Sequence, residues 1–180
     1  MSISTRRGDD GGTELMFGRR VAKNHPRIIA GGAVDELNAA LGLARAADSE
    51  NSGSENSVGE FIAAVQEDLV VLMGDIATLP EDLPRYKAAG FEVFCVERAH
   101  KLDARVASIE EQEITFKGWV FPGASSDMFA AHLDHARTVC RRAERELLML
   151  QDAVNGAILI YLNRLSDVLW LLAREREGQA

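Results

Sequence analysis

Cysteine is nearly missing from this chain: Cys95 and Cys140 are the only two among 180 residues. Two thiols cannot build a disulfide framework, and their spacing is not that of a CxxC metal site. Both sit in apolar stretches that read as helical, where a free thiol behaves as a small buried hydrophobe. Positive charge is short as well, with 20 Lys and Arg against 28 Asp and Glu, a formal net charge of -8. An acidic chain is a poor match for nucleic acid as its main partner. It can still take a phosphate ligand, because a local arginine cluster holds one inside an acidic protein. No apolar run approaches the ~20 residues of a membrane span. The polar N-terminus lacks the apolar segment of a signal peptide. These absences set the expectation of a cytoplasmic, reducing setting with no membrane and no nucleic acid.

What is present is enough apolar material for one core. Hydrophobic residues make up 47% of the chain and charged residues 27%, at a length that suits a single domain. Residues 1–25 read as an irregular, glycine-rich arm, since nothing there repeats with helical or strand period. From Pro26 the residues Ile29, Ala33, Leu37, Ala40, Leu41 and Ala44 recur at three and four positions, giving a helix over about 26–47. The polar stretch 48–57 reads as a loop. Phe61, Val65, Leu69, Leu72 and Ile76 mark a helix over 58–78. A further helix is expected from Gly90 to about Ser108, with Phe91, Phe94, Val96 and Leu102 on its buried side. Residues 114–122 are aromatic and β-branched and end at Pro122, which suits a short extended segment or a loop. Two long amphipathic helices are expected over 125–151 and 154–176, with Asp152–Asn155 as the turn and Asn155-Gly156 as a capping signal. The expectation is an all-α bundle of at least five helices with short connections.

Three clusters could carry chemistry. On the helix at 125–151, Arg137, Arg141, Glu144 and Arg145 share one face, with Arg142 beside it. Such a row fits a solvated charged stripe. It equally fits a triphosphate clamp, because guanidinium groups give permanent, planar, bidentate donors to phosphate oxygens and a Glu among them can orient one. The second cluster is the arm Thr5-Arg-Arg-Gly-Asp-Asp-Gly-Gly-Thr13, where glycines can turn backbone N–H groups toward an anion and Lys23 adds charge. The spacing is not that of a Walker A loop, and a flexible terminus reads the same way. The third is Tyr161-Leu-Asn-Arg-Leu-Ser-Asp167. There Asn163 and Asp167 interrupt an apolar helix, for a structural hydrogen-bond network or for a ligand.

Taken in order, Thr-x-x-Gly-Asp-x-Gly-x-Thr at Thr5–Thr13, Val34-Asp-Glu-Leu-Asn38, Ala136-Arg-Thr-Val-Cys-Arg-Arg-Ala-Glu-Arg145 and Tyr161–Asp167 resemble one family, the PduO-type ATP:cob(I)alamin adenosyltransferases. The resemblance runs from Thr5 to Arg174 and is thin between 48 and 115. It implies an up-and-down five-helix bundle of ferritin-like type over 26–180, preceded by a nucleotide-binding arm over 1–25. It implies a homotrimer with sites between subunits. The substrates would be ATP, accompanied by magnesium, and cobalamin. The adenosyl group would pass to Co(I) of the corrinoid, so no Ser/His or Cys/His nucleophile and no protein-ligated metal are required. A reductase or an adenosylcobalamin-dependent mutase would be a partner. By resemblance Thr5, Arg6, Arg7, Gly8 and Thr13 wrap ATP. Lys23, Arg141, Arg142 and Arg145 meet its phosphates, and Glu144 and Asn163 hold the nucleotide. Asp35 pairs with Arg137 of a neighbouring subunit, and Trp119 faces the corrinoid.

The sequence departs from the family's pattern at Arg7, where Thr is usual, at Gly31-Gly32, where an aromatic-Gly pair is usual, and at Trp119 and Trp170, where Phe is usual. Those at Arg7 and Trp119 support a second reading, a non-catalytic ATP- or corrinoid-binding chaperone or regulator. A di-metal carboxylate bundle is a third. Glu97-Arg-Ala-His100 supplies one Glu-x-x-His motif, but such a site needs two motifs and two more Glu, and His132 and His135 have no matching carboxylates.

Overall fold

In a computed structural model the chain is almost wholly helical; the residues described are 4, 6–48, 57–111, 119–150 and 154–178. Two short strands, β1 (Gly12–Glu14) and β2 (Arg20–Ala22), pair antiparallel and precede six helices. These are α1 (Pro26–Ala47), α2 (Val58–Ile76), α3 (Leu83–Ala88), α4 (Glu97–Glu110), α5 (Met128–Leu148) and α6 (Gly156–Gly178). The all-α expectation holds, but the arm is a hairpin rather than irregular chain. The loop read at 48–57, the turn at 152–155 and the segment at 114–122 lie partly outside the described residues; Trp119–Pro122 has no helix or strand.

Four of the helices, α1, α2, α5 and α6, start where a side chain caps them, whereas α3 and α4 have no side-chain cap. His25 Nδ1 accepts the Arg27 amide before Pro26 opens α1, and Ser57 Oγ accepts the Glu60 amide at α2. Asp127 Oδ1 accepts the Ala130 amide at α5, and Asn155 Oδ1 accepts that of Ala157 at α6. The helices then bury one stripe each. Across the molecule the packing order is α2–α1–α5–α6–α4, with α1 against α5 the most extensive interface. Small residues allow this close fit: Ala30, Ala33, Ala40 and Ala44 of α1, and Ala136, Cys140 and Ala143 of α5, are buried. Ile29, expected on the inner face of α1, points outward at 45% exposure.

The helix expected from Gly90 begins seven residues later. Gly90 instead ends α3 at φ +84°, with its amide donating to Lys87 and that of Phe91 to Tyr86. The Phe91 ring stacks on Tyr86 with centroids 4.8 Å apart. Residues 91–95 form no regular element and are fastened at Phe94 to α2 and the α6 cap: Phe94 N–H donates to Asp75 Oδ2, and Asn155 Nδ2 donates to both Asp75 Oδ2 and the Phe94 carbonyl. Phe94 is buried, whereas Phe91 and Val96 are exposed and Cys95 lies half-buried outside any helix. α6 is long and apolar enough to pass for a membrane span by length and composition. Ile158, Tyr161, Leu162, Leu165, Val168, Leu169, Leu172 and Ala173 of α6 are instead buried in the core of the bundle, while Ile160 is exposed.

Candidate active site

The arm builds a small polar pocket. Asp10 Oδ1 accepts the Gly12 amide, and Arg20 Nη2 reaches both Asp10 oxygens, at 2.6 and 2.7 Å, and the Arg7 carbonyl at 3.1 Å. The amide and Arg20 together hold the Asp10 carboxyl below its ordinary range. A Cβ at Gly12 would sit 2.4 Å from the Arg20 guanidinium, so a larger residue there would displace that side chain. Lys23 Nζ lies over Gly8, 3.1 Å from where its Cβ would be. The result is a pocket of about 300 Å³ lined by Arg7, Gly8, Gly12, Thr13, Glu14 and Arg20. Arg6 adjoins it in a left-handed conformation, φ +57°. Thr5 lies outside the described residues.

The second and third clusters meet at a buried thiol. Cys140 Sγ donates to the Leu162 carbonyl at 3.3 Å, bonding α5 to α6. Burial pushes that thiol far up, and Glu144, Arg141 and Asp167 all act on it electrostatically. α5 therefore presents Arg141 and Glu144 beside the stretch of α6 that carries Asn163 and Asp167. Arg141, Arg145 and Asn163 are exposed, and Arg145 Nη1 caps the Arg141 carbonyl at 3.0 Å. Arg142 is turned away into an ion pair with Glu36 of α1, and Arg164 pairs with Asp103 of α4 at 2.6 Å.

Arg137 stands apart from that row. It lines a pocket of about 260 Å³ with Trp119, Val120, Pro122, Asp134, Trp170 and Arg174. Inside it Asp134 and Arg174, 2% and 4% exposed, pair at 2.6 Å, and Arg137 Nε approaches Asp134 at 3.5 Å. The Arg174 guanidinium carbon is 5.7 Å from the Trp170 ring centre. Trp119 is 83% exposed and Phe121 69%. Asp35, exposed on α1, lines a different groove with Glu14, Leu15, Arg27, Gly31 and Gly32. Nothing lies within 4 Å of a Cβ built at Gly31, so the space an aromatic would fill is open. Among the described residues no hydrogen bond or ion pair joins the arm, Asp35 or Lys23 to the α5–α6 cluster.

Three groups here were missed from sequence: Arg20 as the arm's brace, the Asp134–Arg174 pair, and Asp75 as the clamp on residues 91–96. Asp134 and Arg174 carried a signal, charges at core positions of amphipathic helices. Arg20 carried none, since its partner depends on how the hairpin folds.

The family model for cobalamin adenosyltransferase matches residues 3–176, nearly the whole fold just described. The chain belongs to the cobalamin adenosyltransferase family. Among curated members of the family it is 38% identical to corrinoid adenosyltransferase PduO of Salmonella typhimurium over 186 residues. All of this chain is covered by that match but only 51% of the relative, so the chain spans about half that protein's length. It is 38% identical to cobalamin adenosyltransferase of Cupriavidus metallidurans, covering 96% of this chain and 86% of that one. Among solved structures, a phenylalanine-to-alanine variant of the PduO-type ATP:corrinoid adenosyltransferase from Lactobacillus reuteri, complexed with cobalamin and ATP, superposes with a TM-score of 0.83. That pair is 30% identical, and the match covers 98% of this chain and 94% of the other. An arginine-to-lysine variant of the same enzyme with ATP gives 0.81 at 29% identity.

Proposed function

We propose that this chain transfers the 5′-deoxyadenosyl group of ATP to the cobalt of cob(I)alamin, releasing triphosphate. The observation that carries the reading is the arm pocket and the Arg141–Glu144 cluster standing on a fold that, in a relative 30% identical, is complexed with both cobalamin and ATP. In the reaction Co(I) supplies both electrons. A cobalt–carbon bond forms at ribose C5′, the C5′–oxygen bond breaks, and its electron pair leaves with the triphosphate. No nucleophile of the protein is needed; its work is positioning, neutralising the leaving group and excluding water.

Arg6, Arg7, Gly8, Thr13 and Lys23 are the arm's contribution to ATP, with Thr5 beyond them. Arg141 and Arg145 take the developing triphosphate charge, and Glu144 and Asn163 orient the nucleotide. Arg142, engaged with Glu36, is a reserve charge at the rim. Trp119, exposed above Arg137 and Trp170, covers the face of the corrinoid from which the lower ligand has left. Magnesium travels on the phosphate oxygens. Among the described residues no three His, Cys, Asp or Glu converge into a metal cage.

The separation of the arm from the α5–α6 cluster within one chain supports a site completed by a second copy, in a homotrimer of five-helix bundles. The Asp35 groove of one subunit would then face Arg137 of the next. The arm, residues 1–25, and the bundle, 26–180, act as one catalytic domain of a cytoplasmic enzyme. A reductase would supply Co(I), or a mutase would take the product. The Arg7 and Trp119 departures are the support for the second reading, a binder without turnover. An anaerobic assay with cob(I)alamin, ATP and magnesium decides: the adenosylcobalamin spectrum establishes the enzyme, and ATP binding without that spectrum establishes the binder.

A further inference from the structure

The arm meets the bundle at a corner built on the end of α2. Between β1 and β2 the chain turns through Leu15–Arg19, and this turn sits on the segment that leaves α2. Leu15 is buried there, and the Met16 amide donates to the Ala77 carbonyl at 2.9 Å. Arg19 then donates through Nε and Nη2 to the two oxygens of Asp82, at 2.6 and 2.9 Å, a two-point contact that fixes orientation as well as distance. Asp82 is nearly covered, its side chain 8% exposed. Next to it Arg85 of α3 lies over the Phe17 ring, 4.2 Å from the centre, and holds a residue in the left-handed region at φ +60°. α3 is itself pinned: Tyr86 is buried with its hydroxyl against Gly74 of α2, where a Cβ would come within 2.3 Å.

The line continues into the pocket. Leu15 N–H donates to the Arg19 carbonyl at 2.8 Å, Glu14 pairs with Arg20 in the ladder, and the Arg20 side chain crosses Gly12 to hold Asp10 and the Arg7 carbonyl. Asp82 is thus tied through Arg19 and Arg20 to the loop whose Arg7, Gly8, Gly12 and Thr13 line the pocket.

We propose that Asp82 is a positioning residue for the nucleotide: through Arg19 it sets the angle at which the arm stands on the bundle, and so where the residue 7–13 loop meets the phosphates. This rests on the reading of the arm as the ATP-binding element. Asp82 itself touches no substrate, and its hydrogen bonds and ion pair are to Arg19 of the arm.

The test uses the full chain with Asp82→Asn, Arg19→Lys and the exchanged pair Arg19→Asp with Asp82→Arg. Kinetics are measured against ATP and against cob(I)alamin, with hydrogen exchange at the Leu15 and Lys23 amides. Asp82→Asn should raise KM for ATP about tenfold, the size of a lost charge-assisted bond. The kcat at saturating ATP, KM for cob(I)alamin and the helical melting curve should stay within error of wild type. The exchanged pair should recover most of the ATP KM. Faster arm exchange with an unchanged ATP KM would overturn the proposal. So would equal losses toward both substrates, which mark a merely structural residue. Should wild type bind ATP without turnover, the proposed reaction fails, and calorimetric ATP affinity of wild type against Asp82→Asn decides the positioning role. Absence of ATP binding by wild type sinks both.

Discussion

Arg141 and Glu144 point outward from α5 with their neighbour Cys140 sealed beneath them, so they can be removed without opening the core. Arg141→Ala and Glu144→Ala should each lower turnover at least a hundredfold, the usual scale for a lost charge at a transition state, while the circular dichroism spectrum stays native. Wild-type rates in both would place the ATP clamp elsewhere. The thiol itself gives a second residue-scale expectation. Burial disfavours the thiolate, so Cys140 is protonated in the folded state and stays so well above the ordinary thiol range. A thiol reagent at pH 8 should label Cys95 alone in the native protein and both cysteines after denaturation. Rapid native labelling of Cys140 would show that α5 and α6 separate there.

Among the elements, the long helices were legible and the connections were not. α1 and α2 end within two residues of where period and caps put them, because their stripes of Leu, Val and Ala have one way to be buried. The start of α4 was illegible for the opposite reason. Residues 91–96 are apolar enough for a helix, but Asp75 and Asn155, remote in sequence, take the N–H and carbonyl of Phe94 that a helix would use. Gly90, read as a beginning, is a helix end, which only its positive φ and the Tyr86–Phe91 stack reveal. The hairpin of the arm was hidden similarly: three-residue strands carry no period, and their stability comes from Arg20, Asp10 and the corner on α2. Of the candidate site, the residue types were legible and their grouping was not. Arg137, on the same helical face as Arg141, belongs to a pocket with Trp119 and Trp170. Its neighbour Asp134 joins α5 to α6 through Arg174, and removing one partner of a buried pair strands the other. Asp134→Ala should therefore cost about 3 kcal/mol of stability, read as a lower urea midpoint at constant slope. An unchanged midpoint would mean that Glu177, 3.0 Å from Arg174, satisfies it alone.

For the whole molecule, the divided site makes assembly and activity one question. Asp35 has no ion-pair partner of its own among the described residues, and it sits beside the base of the arm. If it braces Arg137 of a second copy, Asp35→Ala should shift the population toward smaller species in sedimentation and lower the rate per chain at dilute protein, with recovery at higher concentration. Identical size and rate would remove the brace from the account. Acid should act on the same assembly through the arm. The carboxyl of Asp82 is held low by Arg19, so its hold on the arm, read in the KM for ATP, is complete above the ordinary carboxylate range and is lost as pH falls through its depressed folded value. One further consequence follows from the pocket at Arg137. The chain has two tryptophans, and both line that cavity. Its indole fluorescence is therefore a local signal: one emitter is open to solvent and the other lies beside a guanidinium. Whatever enters the cavity, coloured or not, changes the emission of the entire protein, so occupancy can be followed optically without attaching any label.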